Sequence, residues 1–517
     1  MARINTNIAS VIAQSNFDKT QNELNLRLER LSTGLRINRG SDDPAGLIIS
    51  ERLRSNIQGV NQGIKNSERA GSVISTTEAA LTEVNDLLNS IKSLVVEAAN
   101  SGANSREERD ANQLQIDSAI DSITRISNTA SFGSLKLLNG SLDYKLSGVR
   151  ASAISLARVT NASFLETDNL AVTVDVINSA QVGALYYNGN TTPAGVTLSA
   201  INLEVRGAKG VEVITISSGQ SLANVAQAVN NLTSLTGVTA ELINNNAASG
   251  LVFKSSGYGT DEYVSVKRLG GPTTGFWQTY KFNDDEPVVA GAPFPWAALT
   301  GPGGAMTTAD NDIGRDVSAL VNGNLAKGNG LEIQVNSGPL GMRLLLTEDL
   351  ATLPGATPTE FRITGGGSQF QLGPDINALQ QANMGIQSVA ATNLGGTLTG
   401  GVVEFLSSIK SGQTNDIANS FQNRNFTTAS NILDKAIDEI SILRGRLGAF
   451  GKNVLDPNVR SLQSSFENLS SSESQIRDSD FAAETSKLTR AQILSSAGIS
   501  TLALANQQSQ SVLQLLG

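Results

Sequence analysis

The sequence contains no histidine and no cysteine among its 517 residues. Without cysteine there are no disulfides, thiolate nucleophiles, iron–sulfur clusters or cysteine-ligated zinc sites. Without histidine, Ser-His-Asp triads, HExxH metallopeptidases and imidazole bases near neutral pH are excluded. No other catalytic motif takes their place, so we expect no enzymatic activity, no cofactor and no metal.

Charged and aromatic residues are also few, at 16% and 4% of the chain, and the formal net charge is −9. This acidic balance lacks the basic face that nucleic-acid binding needs, so we expect no nucleic-acid partner. No run of roughly 18 or more apolar residues occurs, and we expect no membrane association. The N-terminus has no apolar segment of the kind that a cleaved secretory signal needs. This pattern is typical of a cytoplasmic protein, but a dedicated export machine that ignores such signals would leave the same trace.

Glycine and proline are concentrated in the middle of the chain. Residues 146–400 hold 33 of the 49 Gly and 10 of the 12 Pro, and outside them only Pro44 and Pro457 occur. Because proline interrupts helices, the distribution predicts long helical flanks around an inserted β-rich region. The predicted fold class is therefore α+β and multidomain, with a coiled-coil-like helical core built from both termini.

Apolar residues in both flanks recur at steps of three and four, which predicts one apolar stripe on each helix. Residues 2–16 and 491–517 carry such a stripe with few charges, and an isolated helix of that kind is marginal in water. We therefore expect the termini to pair with each other or with another subunit. The predicted inner-core assembly residues are Ile4, Ile8, Val11, Phe17, Leu24, Leu28, Leu31, Leu494, Leu502, Val512, Leu513 and Leu516. The predicted outer-core packing residues are Leu53, Ile57, Val60, Ile64, Leu81, Val84, Leu88, Ile91, Leu94, Ile116, Ile120, Ile123, Ile440, Leu443, Leu447, Leu462, Phe466 and Leu469.

The middle region shows strand patterns separated by turn residues. Residues 203–205 and 211–216 are predicted to pair antiparallel around the turn at 207–210, and Ser221 is predicted to cap a helix that runs to Asn231. Further strands are predicted at 238–243, 251–254, 263–267, 331–335, 342–346 and 361–364. We expect one or two small β or α+β domains here.

Three features of the insert could be read as ligand sites. Asp310, Asp312, Asp316 and the run 283–286 offer oxygen ligands of the calcium type, but the spacing is incomplete and a solvated loop is favoured. Residues 365–368 lack the Lys-Ser/Thr of a phosphate loop, which favours a turn before a strand at 369–372. Four aromatic residues favour a small core or a subunit contact over a sugar platform: Trp277, Tyr280, Phe294 and Trp296.

Long motifs at both ends resemble bacterial flagellin. The N-terminal motif reads RLSTGLRINRGSDDPAGLIISERL, and the C-terminal motifs read SQIRDSDFAAETSKLTRAQIL and AGISTLALANQQSQSVLQLLG. The resemblance covers about 1–140 and 425–517. Residues 197–268 are similar to the flagellin hook IN module.

The resemblance implies a layered subunit. Residues 1–40 with 477–517 would form paired inner-core helices, and 41–145 with 403–476 an outer-core helical rod. Residues 146–402 would form a variable surface insert, expected as two subdomains at about 146–270 and 271–402.

The resemblance also implies a function. The chain would be a structural subunit that self-assembles into the extracellular flagellar filament for swimming, exported through a type III apparatus without a cleaved signal peptide. Its partners would be identical subunits, an export chaperone at the C-terminal helix, and the filament cap and hook-junction proteins. A flagellin-like hook–filament junction protein is the alternative. A filament-borne metallopeptidase, a third class, is excluded by the absence of histidine.

Two surface properties are expected from the same resemblance. The face that the innate immune receptor for flagellin recognises would include Ser90, Leu94 and Gln115. Strongly recognised relatives carry Arg and an acidic residue where this chain has Ser90 and Gln115, so weak activation is expected. The Thr pairs at 191–192, 273–274 and 307–308 are candidate acceptors for O-linked glycans.

Overall fold

The computed structural model describes residues 7–514 apart from 101, 103, 163, 165–168, 190–193, 271–276, 284–293, 302, 339, 354–356 and 400, with side chains described as far as residue 507. Within this part of the chain no helix is both long enough and apolar enough to cross a membrane. The same residues include no group of three His, Cys, Asp or Glu side chains that could hold a metal ion.

Helices dominate both ends of the described chain. They are α1 (Ile8–Thr33), α2 (Pro44–Ala99), α3 (Arg106–Thr129), α4 (Leu222–Asn230), α5 (Thr233–Thr236), α6 (Trp296–Thr300), α7 (Glu348–Ala351), α8 (Ile417–Gln422), α9 (Thr427–Phe450), α10 (Asp456–Arg477) and α11 (Phe481–Gln514). Helix α1 ends at Gly34, whose φ of 72° is the left-handed conformation that glycine adopts without strain. Helix α3 begins with a capping box, since Glu108 N–H donates to Ser105 Oγ at 3.2 Å and Ser105 N–H to Glu108 Oε2 at 2.7 Å.

The middle of the chain is built from short strands. They are β1 (Ser131–Phe132), β2 (Leu135–Lys136), β3 (Tyr144–Ser147), β4 (Ile154–Ala162), β5 (Leu170–Asn178), β6 (Ala184–Asn188), β7 (Ile201–Gly207), β8 (Gly210–Ile216), β9 (Val238–Leu242), β10 (Gly250–Ser255), β11 (Tyr263–Leu269), β12 (Thr279–Phe282), β13 (Met306–Thr308), β14 (Asn311–Ile313), β15 (Ser318–Val321), β16 (Asn324–Asn329), β17 (Glu332–Asn336), β18 (Leu340–Leu346), β19 (Thr359–Gly366), β20 (Ser368–Gln371), β21 (Gln381–Met384), β22 (Thr397–Thr399) and β23 (Val402–Glu404). Three-residue or four-residue 3₁₀ turns lie at Ile243–Asn245, Ala378–Gln380 and Leu406–Ile409, and a π-helical turn lies at Gly451–Leu455. The predicted α+β fold, with helical termini and a β-rich middle, is confirmed.

The chain divides into two compact units. Unit 1 comprises the described parts of Met1–Ala70, Gln371–Gln381 and Lys452–Gly517, and unit 2 those of Gly71–Phe370 and Ala382–Gly451. Unit 1 therefore takes a short segment from the region that the sequence assigned to the insert. The predicted three-layer domain map stays a prediction.

In unit 1, the first part of α2 packs against α10. Val60 and Leu462 are buried, and Asn458 Nδ2 on α10 donates to Ser67 Oγ on α2 at 3.1 Å. Gly63 allows this close approach, because a Cβ there would lie 3.1 Å from a Leu462 methyl group.

In unit 2, α2, α3 and α9 each bury one side at steps of three and four. That spacing is the one that places apolar residues along a single helix face. The buried residues that the sequence had selected are Leu81, Val84, Leu88, Ile91, Ile116, Ile120, Ile123, Ile440, Leu443 and Leu447.

Three larger sheets form the insert within unit 2. Their strand orders are β3-β19-β5-β15-β16-β17-β18-β4, β13-β12-β6-β10-β9 and β14-β11-β7-β8. The predicted hairpin is confirmed: β7 and β8 pair antiparallel, with Gly207 opposite Gly210 at the turn. The predicted helix after Ser221 is α4, whose Asn224 N–H donates to the Ser221 hydroxyl. Strands β7 and β8 were predictable because the alternation of apolar residues and the turn residues are local properties of the chain.

Candidate assembly surfaces

Helices α1 and α11 form an antiparallel pair within unit 1, and small residues make the seam between them. Apart from Ala483, the residues of α11 before 508 that are buried or half-buried recur at alternating steps of four and three: Glu484, Leu488, Ala491, Ser495, Gly498, Leu502 and Ala505. This is the heptad spacing of coiled-coil packing. A Cβ added at Gly498 would lie 3.4 Å from the ring of Phe17, so the two backbones approach closely there.

Polar contacts fix the register of the pair. Asn7 Nδ2 donates to the Ala505 carbonyl at 2.9 Å, and Ser10 Oγ donates to Asn506 Oδ1 at 2.8 Å. At the other end of the pair, Ser479 N–H donates to the Gly34 carbonyl at 3.0 Å. Because these contacts join specific atoms, they oppose sliding of one helix along the other.

A buried carboxylate stands at the centre of the charged contacts. Arg27 donates to both oxygens of Glu484, at 2.9 and 3.1 Å, and Arg30 lies 3.6 Å from it. The Glu484 side chain is only 5% exposed. Burial alone would raise the pKa of Glu484, but hydrogen bonds from Arg27 and Lys487 outweigh it and hold the pKa below its ordinary value of 4.5. The carboxylate is therefore ionised at neutral pH and ties α11 to α1.

Outside the seam, both helices present large apolar side chains to solvent. On α1 these are Ile8, Val11, Ile12 and Leu28, exposed by 52, 59, 57 and 47%. On α11 they are Ile493, Leu494, Ile499 and Leu504, exposed by 64, 45, 57 and 65%. The helix pair therefore leaves much of its large aliphatic surface exposed.

The predicted inner-core residues fall into separate groups. Phe17, Leu24, Leu31 and Leu502 are half-buried, whereas Ile8, Val11, Leu28 and Leu494 are exposed. Ile4 and Leu516 lie outside the described residues, and Val512 and Leu513 lie in α11 beyond its described side chains. Sequence reasoning followed large apolar residues and missed the small seam residues and Glu484. The heptad of small residues in α11 was the signal that could have found them.

The other predicted packing residues are less deeply placed. Leu53, Ile57, Ile64, Leu94 and Leu469 are half-buried, and Phe466 is 36% exposed. On the face predicted to meet the innate receptor, Ser90 and Gln115 are exposed.

The carboxylates of the insert act as acceptors for neighbouring backbone. Asp316 accepts hydrogen bonds from Thr260 N–H at 3.1 Å and Gly330 N–H at 2.8 Å. Asp312 accepts from Ala184 N–H at 2.9 Å. These contacts link strands and turns of unit 2. Residues 284–286, also considered as ligands, lie outside the described residues.

The aromatic residues of the insert form core, as the favoured interpretation predicted. Trp277 is 8% exposed and stacks on Tyr187 with ring centroids 3.8 Å apart. Phe294 and Trp296 are each 4% exposed and pack in another cluster with Tyr280 against them. A sugar platform needs exposed rings, so that alternative is wrong.

The turn predicted at 365–368 is shorter than expected: Gly365 and Gly366 end β19, and Gly367 alone separates β19 from β20. All three glycines have positive φ. Thr307 and Thr308 lie exposed on β13. The other two Thr pairs lie outside the described residues.

Comparison with known proteins agrees with the helical ends. The bacterial flagellin N-terminal helical region matches residues 4–143, the bacterial flagellin C-terminal helical region matches 430–516, and the flagellin hook IN motif matches 202–257. The chain is 31% identical to the flagellin of Escherichia coli strain K12 over 99% of both chains. It is 28% identical to the flagellin of Salmonella muenchen, again over 99% of both.

The chain belongs to the bacterial flagellin family. It is a structural subunit of the flagellar filament, which is a homopolymer of flagellin. The resemblance drawn from the terminal motifs is thereby confirmed, and so is the similarity to the hook IN module. In this flagellin the IN match spans β7 to β10 and includes α4.

Among solved structures, the flagellar cap protein FliD from Bdellovibrio bacteriovorus is similar at 15% identity over 42% of this flagellin and 99% of its own chain. The TM-score of this match is 0.25, which is too low to indicate a shared fold.

Proposed function

We propose that this filament subunit assembles through the apolar side chains that the α1–α11 pair leaves exposed. The supporting observation is that eight large aliphatic side chains lie outside the small-residue seam, each at least 45% exposed. Exposed aliphatic side chains concentrated on one pair of helices are typical of an interaction surface. Neighbouring copies would cover it in an open helical lattice, in which growth does not close on itself.

The energy of this step is of the right order for reversible growth. Burying a fully exposed Leu or Ile side chain contributes about 1.5–3 kcal/mol, so a half-exposed one contributes about 1 kcal/mol. Eight of them contribute about 8 kcal/mol, against an association cost of about 4–15 kcal/mol. A contact of this size with one neighbour is marginal, and contacts with several neighbours at once make the lattice stable.

The test replaces exposed residues that make no seam contact. Ile493→Ser with Ile499→Ser should preserve the α1–α11 register but abolish or sharply reduce filaments, seen by negative-stain microscopy and pelleting. Ile442→Ser, at a 42% exposed position of α9, is the matched control and should assemble normally. Unchanged filaments from the double variant, or from a chain lacking residues 1–30, would contradict the mechanism.

We further propose the layered division that the family resemblance implies. The terminal helices form the inner core, 41–145 with 403–476 the outer-core rod, and 146–402 the outward insert, apart from Gln371–Gln381, which belongs to unit 1 with the terminal helices. A density map of the filament would place each region by radius. An insert lying at the filament axis would contradict the division.

The proposed partners outside the filament are an export chaperone on α11 and the cap and hook-junction proteins. Export without a cleaved signal is part of the same proposal. The intact mass of the chain in sheared filaments tests it, because uncleaved export leaves the full 54.0 kDa. A secreted chain shortened by an N-terminal signal would contradict it. The role of a junction protein has no observation in its favour, and labelling along the whole filament rather than at its base would exclude it.

We also propose that this flagellin activates the innate receptor weakly. Ser90 and Gln115 are exposed, so a receptor would meet them directly. Reporter cells should respond weakly to the native chain and more strongly to Ser90→Arg with Gln115→Glu. A full response to the native chain at ordinary doses would contradict the proposal.

A further inference from the structure

The segment Gln371–Gln381, here the 371–381 loop, departs from the region that surrounds it in sequence. It belongs to unit 1 with the terminal helices, whereas the chain on both sides of it belongs to unit 2. Its residues QLGPDINALQQ carry one formal charge, on Asp375. The loop is therefore a nearly uncharged addition to the helical unit.

Close packing holds the base of the loop against helices α2 and α10. A Cβ added at Gly59 would lie 2.9 Å from the Cβ of Pro374, so only glycine allows this approach. The Leu372 side chain is buried, and its carbonyl accepts a hydrogen bond from Asn458 Nδ2 at 2.9 Å. The base therefore has a fixed position on the helices of unit 1.

Hydrogen bonds inside the loop hold its tip in shape. Asp375 N–H donates to Gln380 Oε1 at 2.6 Å, and Gln380 Nε2 returns a bond to the Asp375 carboxylate at 3.0 Å. Gln371 Nε2 donates to the Asp375 carbonyl at 2.7 Å, and Gln380 N–H donates to Asn377 Oδ1 at 3.0 Å. A tip tied in this way loses little conformational entropy on binding.

The tip presents two aliphatic side chains almost fully to solvent. Ile376 is 90% exposed and Leu379 is 92% exposed. Among the other large hydrophobic residues that the structure describes, none exceeds 69% exposure. Two exposed aliphatic side chains at the end of a hydrogen-bonded loop have the form of an interface anchor.

We infer that the 371–381 loop is a subunit contact whose Ile376 and Leu379 insert against a second copy of this chain. The occupant follows from two observations. The subunit functions in a homopolymer, so its assembly surfaces meet other copies of this chain, and the loop is anchored on the same unit that carries the exposed terminal helices. The inference rests on filament assembly, but the residues it names are separate from those of α1 and α11.

The first test uses the absence of cysteine from the chain, which makes single-cysteine variants uniquely reactive. Leu379→Cys should react readily with a maleimide in monomers and at least about tenfold more slowly in filaments, because an interface excludes solvent. The control is Leu325→Cys, at a position 69% exposed on β16, which should react similarly in both states. Equal labelling of Cys variants at 379 in monomer and filament would overturn the inference.

A second measurement identifies the occupant. A thiol-linked photo-crosslinker on the Leu379→Cys variant should yield a product of twice the 54.0 kDa chain mass in filaments and not in monomers. Slower maleimide labelling in filaments without that cross-linked product would mean that the tip is covered by its own chain, and would overturn the inference.

The third measurement is functional. Ile376→Ser with Leu379→Ser should raise the critical concentration for assembly by about tenfold or more, because two exposed aliphatic side chains lose their burial. Leu325→Ser should leave it unchanged. Wild-type assembly of the double variant would overturn this inference alone, because the Ile493 and Ile499 variants test the terminal helices separately.

Discussion

Replacing Glu484 by Gln removes the one charge that holds two arginines of α1 against α11. The native carboxylate accepts two bonds from Arg27, at 2.9 and 3.1 Å, with exposures of 14% for the Arg27 side chain and 5% for Glu484. Glutamine has nearly the same shape, so packing along the seam should be retained. The variant therefore isolates the charge.

The magnitude follows from the bonds that change. Hydrogen bonds to charged groups contribute about 1.5–3 kcal/mol each, against about 0.5–1.5 kcal/mol for neutral ones. Glutamine can accept one bond from Arg27 through its carbonyl oxygen, without the acceptor's charge, and its NH₂ group cannot accept the other. We expect a net loss of about 2 kcal/mol, which corresponds to about a 30-fold shift in the pairing equilibrium.

The assay is the critical concentration for assembly, measured as the soluble protein left after filaments are pelleted. Glu484→Gln should raise it by about 30-fold at neutral pH. The matched control is Glu23→Gln, which removes another carboxylate from Arg27, at 3.2 Å, but one that is 50% exposed. An exposed pair of this type contributes about 0.3–0.5 kcal/mol, so the control should shift assembly by about twofold. Equal effects of the two variants, or none from Glu484→Gln, would refute the reasoning.

The lowered pKa of Glu484 predicts that the critical concentration for assembly depends on pH. The folded pKa of Glu484 lies below its ordinary value of 4.5, so the folded state binds fewer protons than the unfolded chain in that window. Its stabilisation is fully present above the ordinary pKa and is lost as the pH falls through the lowered one. The critical concentration should therefore rise in acid, and Glu484→Gln should lack this part of the rise. Identical acid profiles would contradict the assignment.

Two further variants test packing in each unit. Glu439→Gln should lower the free energy of unfolding of unit 2 by about 2–3 kcal/mol, because it leaves the largely buried Arg158 guanidinium, 3.1 Å away, without a carboxylate. Calorimetry should show a lower melting temperature, and an unchanged transition would contradict this. Gly498→Val should force the α1–α11 seam apart at Phe17 and speed amide hydrogen exchange in α1, whereas Gly445→Val, where a Cβ meets nothing within 4 Å, should not affect that exchange. Equal exchange in the two variants would show that the seam tolerates a larger residue.

The buried contacts of Glu439 could not be predicted from the sequence. Glu439 lies on α9 between buried apolar positions, and its Oε2 accepts the Gly395 N–H at 3.1 Å. Burial raises the pKa of Glu439 above its ordinary value, and Arg158 and that N–H only partly counter it. Its partners lie on other elements of the insert and its connections, so no local pattern around residue 439 could have indicated them.

The sequence by itself determined the fold class, the helical ends, the insert and the family. The reason is that periodicity, capping boxes and turn residues act within a few residues of one another. The hairpin of β7 and β8 and the helix after Ser221 were predictable for the same reason. The terminal motifs were long enough to identify the family without any contact between the ends.

Only the tertiary structure decided which face of each terminal helix meets the other. The seam of α11 includes Ala491, Ser495, Gly498 and Ala505 beside two Leu residues, while the larger Ile493 and Leu504 face solvent, which hydrophobicity alone does not predict. It also decided that Arg27 meets Glu484, which is 457 residues away in sequence, and that the 371–381 loop belongs with the helices. These contacts depend on the shape and charge of a surface that is distant in sequence. The residues of one segment alone therefore do not predict them.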